Sequence, residues 1–381
     1  MLTATRENFR RQMPIARRFA YFDHAAVGPL PEPTRAAIAT WLQQAAEVGD
    51  TVWPEWNRQA EQTRSHAAAM IGASPDEIAL VPNTTAAINY IAQGFPWQPG
   101  DNIVTLVNEF PSNVYPWQNL ASLGVECRLV DVPGGVVDLN RIATACDSRT
   151  RLLSLSWVGF ASGYRIDLNE IAQLCQQKNI HFFLDAIQGL GVFPLDVRQT
   201  PVDFLAADGH KWLLGPEGAG VMFIRRELLD VIRPVHVGWN SVQRPYDFGS
   251  IDFQLKANAS RYEGGAANMA GQIGLAASLR LLRELGVSPQ SSPVGEAVIE
   301  IANHAQAELQ RIGATIISPH IAGHEAGIVT FTLPGSEPAA VREKLLAADI
   351  VVSCRGGGVR ISAHGYNDAT DVSRLIDVLK D

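Results

Sequence analysis

Residues 202–224 read "VDFLAADGHKWLLGPEGAGVMFI". Two apolar runs, each short enough for a single buried strand, flank a glycine-rich loop that contains one lysine, Lys211. Runs that are apolar at every position, instead of alternating with polar residues, belong to strands covered on both faces, as in parallel sheets. A lysine at such a strand end enters a tight loop over the sheet, where burial can lower its pKa and make it a nucleophile. On this stretch alone it could equally be a surface lysine on a connecting turn.

Working outward, similar runs recur between helical patterns. "IALVP" (78–82) precedes "TTAAINYIAQGF", "NIVTLV" (102–107) precedes a loop and "VYPWQNLASL", and "RLLSLSWV" (151–158) precedes "LNEIAQLCQQKN"; "HFFLDAI" (181–187) follows. This alternation predicts an α/β chain with a mostly parallel sheet, whose loops at the carboxyl ends of the strands carry function. Beyond about residue 270, two segments with helical spacing are followed by "ATIIS", "GIVTFTL", "IVVSCR" and "VRISAH". A closing helix, "DATDVSRLIDVLK", follows with Asp368 or Thr370 as its cap. The expected division is a large domain over 20–265 and a smaller α+β domain made of 1–19 and 266–381.

The 381 residues are 46% apolar and 18% charged, enough for a sizeable core, and the formal charge is −8. That balance argues against nucleic acid as a partner. Cys127, Cys146, Cys175 and Cys354 are scattered without CxxC pairing and read as reduced thiols, which with the absence of an apolar leader in the first 22 residues predicts a cytoplasmic protein. No run approaches a membrane span. His320 and His324 have i, i+4 spacing, but Pro319 and Gly323 break the helix a metal pair needs, so no metal site is expected.

Three features carry chemistry. Asp185 ends the run "FFLD" and needs a partner if buried, which a Lys211 ion pair or a cofactor would supply. In "LVPNTTAAIN", Asn83 or Thr84 can cap the next helix, and the free N–H groups there suit a phosphate. A lysine amine, a carboxylate and a phosphate cradle at separate strand ends are what pyridoxal phosphate requires.

From "YFDHAAVGPLP" at residue 21 to the closing helix, the chain resembles the class V aminotransferases and cysteine desulfurases, fold-type I pyridoxal phosphate enzymes that include an isopenicillin epimerase-like branch. The resemblance implies a seven-stranded large sheet and a Schiff base on Lys211. It assigns Asp185 to the pyridinium nitrogen, Gln188 to the phenolic oxygen, and Thr84, Thr85 and His210 to the phosphate. Phe110 falls where desulfurases stack a histidine on the cofactor ring, Arg360 matches the arginine that grips the substrate carboxylate, and "RYEGGAANMAGQIG" (261–274) matches a segment that reaches the partner's cofactor, implying a homodimer. His24 is a candidate acid or base at the substrate mouth, with Trp239 and Asn240 as candidate walls and Tyr115 and Trp117 as flanking residues.

Several positions depart from the desulfurase pattern. Arg355 and Arg360 are separated only by "GGGV", so the loop that carries the nucleophilic cysteine is missing. Phe160 replaces an asparagine, and Asp208 and Ala266 replace phosphate-binding hydroxyl residues. The expected activity is therefore transamination or epimerisation of a small amino acid. A cysteine or cystine C–S lyase comes second and a persulfide-forming desulfurase third, with Cys354 a poor sulfur acceptor. A nicotinamide-dependent dehydrogenase would need a GxGxxG fingerprint that "GPEGAG" does not provide, and a non-catalytic regulatory protein would need an added DNA-binding segment.

Overall fold

A computed structural model of the chain describes residues 3–380. A two-residue strand β1 (Ala20–Tyr21) is followed by seven strands of one large sheet. These are β2 (Ile78–Val81), β3 (Asn102–Leu106), β4 (Glu126–Val130), β5 (Thr150–Ser156), β6 (His181–Asp185), β7 (Phe204–Asp208) and β8 (Gly220–Ile224). The spatial order is β2-β8-β7-β6-β5-β3-β4, with β8 antiparallel to both neighbours and every other pairing parallel.

The continuous apolar runs follow from burial on both faces. In β6, β7 and β8, Phe182, Leu184, Leu205, Val221 and Phe223 join one core, while Phe183, Phe204, Ala206 and Met222 join the other. Since successive strand side chains point to opposite faces, both sets must be apolar. The edge strand β4 was not among the expected strands. Its burial is partial and it carries Glu126 and Arg128, so it lacks the apolar signal.

A second, antiparallel sheet has the order β12-β13-β10-β9, built from β9 (Thr315–Ile316), β10 (Ile328–Thr332), β12 (Ser353–Arg355) and β13 (Gly358–Ser362). Between β10 and β12, β11 (Ile350–Val351) pairs in parallel with β1 and ties the amino-terminal segment to this region. Phe22, Leu309, Phe331, Leu345, Ile361 and Leu375 form its core. The closing helix Ala369–Lys380 is capped by Asp368, whose carboxylate accepts from the N–H groups of Thr370 and Asp371. Near the amino terminus, Arg10 is ion-paired with Asp371 at 2.7 Å and Phe9 packs edge-on against Tyr366. The helix Met269–Glu284 packs on Glu32–Glu47 and Trp53–Ile71, so the expected cut at 265 separates it from the elements it touches.

Candidate active site

The parallel register sets Ser156 of β5 beside Asp185 of β6, and Asp185 beside Ala206 of β7. The carboxyl ends of β6 and β7 therefore open into one cavity of about 340 Å³. Its walls come from residues 25–27, the turn after β2, the turn after β3, the Lys211 loop and the β12–β13 hairpin.

Lys211 and Asp185 both line this cavity and are 8% and 2% exposed. Burial lowers the Lys211 ammonium to about 8, an effect the Asp185 charge partly offsets. Burial raises Asp185 to about 6, opposed by a hydrogen bond from the Ile187 N–H (3.1 Å) and by Lys211. Near neutral pH the pair carries opposite charges, and the lysine releases its proton far more readily than a surface lysine does.

At another wall, Asn83 caps the helix Thr84–Gly94 by accepting from the Ala86 N–H at 2.8 Å. The first helical N–H groups, at Thr84 and Thr85, have no intrahelical acceptor and face outward from the first turn. The Thr84 hydroxyl accepts from the Asp208 N–H (2.9 Å) and keeps its own proton free to donate, while the Thr85 hydroxyl donates to Ser112 (2.8 Å). His210 Nδ1 lies 3.2 Å from Asp208 Oδ2, and Asp208 Oδ1 is buried without a partner. Asp208 lines the cavity beside His210.

Phe110 presents its ring to Lys211, whose Nζ lies 5.5 Å from the centroid, and meets Phe160 edge-on at 5.4 Å. Glu109, which the sequence did not single out, anchors this turn. Its carboxyl accepts from the Ser156 N–H at 2.7 Å and from the Ser156 hydroxyl, and burial pushes it up to about 7. Arg360, only 1% exposed, donates from Nη1 to the Phe160 carbonyl (2.7 Å) and from Nη2 to Asp23 (3.2 Å). Its Nε is buried and unpartnered. Arg355, exposed at the rim, also lines the cavity.

Six expected residues are placed elsewhere. His24 is fully buried behind the cavity wall: its Nδ1 bonds the Ser362 carbonyl and its Nε2 the Tyr366 hydroxyl, both at 2.9 Å. A carbonyl can only accept, so Nδ1 carries the proton and Nε2 accepts. Burial, with His364 beside it, lowers the ring's proton affinity, and His24 does not line the cavity. Gln188 also does not line the cavity; its amide donates to the Ala25 carbonyl (3.0 Å) and accepts from the Trp212 indole (2.6 Å). Trp239 lines a separate cavity with Asn240, Trp41, Trp53 and Trp56. Trp117 is a core residue, Tyr115 is exposed outside the cavity, and Ala266 lines the two other cavities.

These residues fit pyridoxal phosphate. A buried carboxylate holding a single backbone hydrogen bond has room for a cationic ring N–H, a buried amine of lowered basicity faces the same space, and a helix N-terminus with a free hydroxyl proton suits a phosphate. A doubly wound sheet with these groups at its carboxyl edge defines a fold-type I pyridoxal phosphate-dependent enzyme. The chain belongs to the aminotransferase class-V family, whose sequence profile matches residues 20–375.

Similar proteins cover essentially the whole chain. A probable cysteine desulfurase of Methanothermobacter thermautotrophicus is 29% identical over 100% of this chain and 99% of its own length. An uncharacterized aminotransferase, YcbU, of Bacillus subtilis is 27% identical over 97% and 96%. The apo structure of a cysteine desulfurase from Thermococcus onnurineus NA1 superposes with a TM-score of 0.88 at 27% identity, covering 98% of this chain and 97% of that one. A cystine C–S lyase in complex with cysteine persulfide shares the fold, at TM-score 0.89 and 24% identity over 97% and 99%.

Proposed function

We propose that Lys211 holds pyridoxal phosphate covalently and that the enzyme acts on a small α-amino acid bound by Arg360, most simply by transamination. The observation that carries this reading is the convergence of buried Lys211 and buried Asp185 on one cavity. When bound, the cofactor supplies an electron sink that acidifies the bonds at the α-carbon. Asp185, ionised at neutral pH, would keep the ring nitrogen of a bound cofactor protonated. Phe110 offers the ring face, and the helix N-terminus at Thr84 and Thr85, with His210, holds the phosphate.

Arg360 has a buried, unpaired Nε–H available for the substrate carboxylate. With the cofactor and substrate bound, Lys211 would be the group placed to take the α-proton and to return it. With His24 turned away, Lys211 is the single lysine among the cavity-lining residues, which supports transamination over epimerisation within this branch.

Cleavage of a C–S bond is the second reading, supported by the desulfurase and lyase names of the relatives. A persulfide-forming mechanism is less well supported. Arg355 and Arg360 are joined by a tight hairpin, and the half-buried Cys354 thiol donates to the Pro338 carbonyl at 3.3 Å. We also propose a homodimer, on the exposed apolar side chains Trp239, Tyr246, Phe248 and Phe253. A cytoplasmic location is proposed from four unpaired cysteines. No helix among the described residues is long and apolar enough to cross a membrane.

The test is the visible spectrum of the protein with pyridoxal phosphate before and after borohydride, with peptide mapping. A band that reduction fixes onto Lys211 supports the reading; a label on another lysine overturns it. A Lys211→Ala variant that loses turnover separates an enzyme from a non-catalytic cofactor-binding protein.

A further inference from the structure

We infer that Arg355 binds a second anionic group on the substrate's side chain, so that the preferred amino acid is one with two anionic groups (called a dianion below), the second a carboxylate or sulfinate in its side chain. This rests on the reading above, in which Arg360 takes the α-carboxylate, and adds the substrate class.

Arg355 is not on a free loop. It pairs with Gly358 across the β12–β13 hairpin, and the two turn residues, Gly356 and Gly357, have φ of 58° and 80°. A two-residue hairpin turn with positive φ at both central positions matches the strand twist and holds the strands in fixed register, and glycine adopts that backbone without strain. A side chain at Gly356 would come into contact with Ala161, next to Phe160. The residue entering the turn is thus held at the cavity rim by the sheet.

The other basic groups of the cavity lie near carboxylates, although only Arg360 and His210 come within 4 Å of one. Asp185 opposes Lys211, and Asp208 lies beside His210. Arg360 forms its ion pair with Asp23, which also accepts from the Ser353 hydroxyl at 2.8 Å. Arg355 forms no ion pair among the described residues; its one hydrogen bond runs from Nη1 to the carbonyl of Cys354, at 2.7 Å. Its charge lowers the proton affinity of both Lys211 and Arg360, as expected of a cation sharing their cavity.

The two guanidiniums therefore differ in kind. Arg360 is buried, neutralised and oriented, which suits the α-carboxylate common to every amino acid. Arg355 is exposed and without a counter-charge, which suits a group that only some side chains carry. A neutral side chain would leave it in water and gain nothing, whereas a two-oxygen anion can take two of its N–H groups at once.

The experiment compares aspartate, glutamate and cysteine sulfinate with the neutral alanine, cysteine and norvaline on the holoenzyme. Alongside it, calorimetry measures binding of succinate against propionate. The expected result is a higher kcat/KM for one of the dianions than for the neutral amino acids, the sulfinate arm separating sulfur acids from carboxylates. In Arg355→Gln the ratio of dianion to neutral kcat/KM should fall about tenfold, since a charge-assisted hydrogen bond contributes roughly a factor of ten or more. Arg355→Lys should recover part of it, and succinate should lose affinity more than propionate.

Three results would overturn the inference. One is a wild-type enzyme that does not favour the dianions. Another is an Arg355→Gln variant that weakens dianions and neutral amino acids by one common factor, which would place Arg355 on the α-carboxylate. The third is equal losses for succinate and propionate. Failure of the underlying reading looks different: borohydride then fixes no cofactor onto Lys211, and both readings fall together.

Discussion

Gly28 lies against the backbone of Lys211. Its N–H donates to the His210 carbonyl at 2.6 Å, and a Cβ placed on it would overlap the Lys211 carbonyl oxygen. The segment that crosses the cavity and the loop that carries its amine therefore touch backbone to backbone, with no side chain between them.

Gly28→Ala should force these segments apart. An added methyl in a packed position typically costs roughly 1–3 kcal/mol. The expected outcome is slower attachment of pyridoxal phosphate to Lys211 and a lower melting temperature. Unaltered attachment kinetics would show that the contact does not position the lysine.

Lys211 should capture the cofactor at a lower pH than a surface lysine. The attacking species is the neutral amine, and burial brings its pKa down to about 8. Attachment rates to the apoprotein should rise with pH and level off above about 8, not climb toward the ordinary value near 10.4. Removing the neighbouring charge in Asp185→Asn should shift the midpoint lower still.

Asp185 is kept at a cost to stability. Its carboxyl is raised from 3.8 to about 6 by burial, so between those values the folded protein binds the extra proton. Stability therefore falls as pH rises through this window, and the penalty is complete above it. For a shift of about two pH units it amounts to at most about 3 kcal/mol. Asp185→Asn should make the apoprotein more stable at pH 7 than the parent, with the difference vanishing below about pH 4, while cofactor binding and turnover collapse. Denaturant titrations of both apoproteins at several pH values check this.

His24 should prove structural. Removing it leaves the Tyr366 hydroxyl without its acceptor, and the Ser362 carbonyl with only the 3.4 Å bond from the residue-24 backbone N–H, in a fully buried cluster. His24→Ala should lower stability by about 2–4 kcal/mol, summing a small cavity and these lost hydrogen bonds. The pH profile of kcat/KM should keep its shape. Loss of one limb of that profile at unchanged stability would restore His24 as an acid or base.

Much of the fold was legible because burial writes itself into composition. β6, β7 and β8 read as strands since each alternate side chain enters a different apolar core. β4 did not, because an edge strand keeps polar residues: Arg128 pairs with Asp147 at 2.7 Å and with Glu126 at 2.8 Å. Lys211, Asp185 and Thr84 could be picked out because they follow strand ends, and the carboxyl edge of a doubly wound sheet opens into the crevice where ligands bind.

The sequence by itself determined which groups stand at those strand ends, since chain order and hydrophobic pattern set the register of the sheet. Only the tertiary structure decided which of them look into the cavity. His24 and Gln188 belong to motifs that pointed to the site, yet their hydrogen bonds turn them to the Ser362 and Tyr366 groups and to Trp212 and Ala25. Arg355 reaches the rim through a glycine turn and cross-strand pairing. Side-chain direction depends on partners brought from hundreds of residues away, and local sequence carries no record of them.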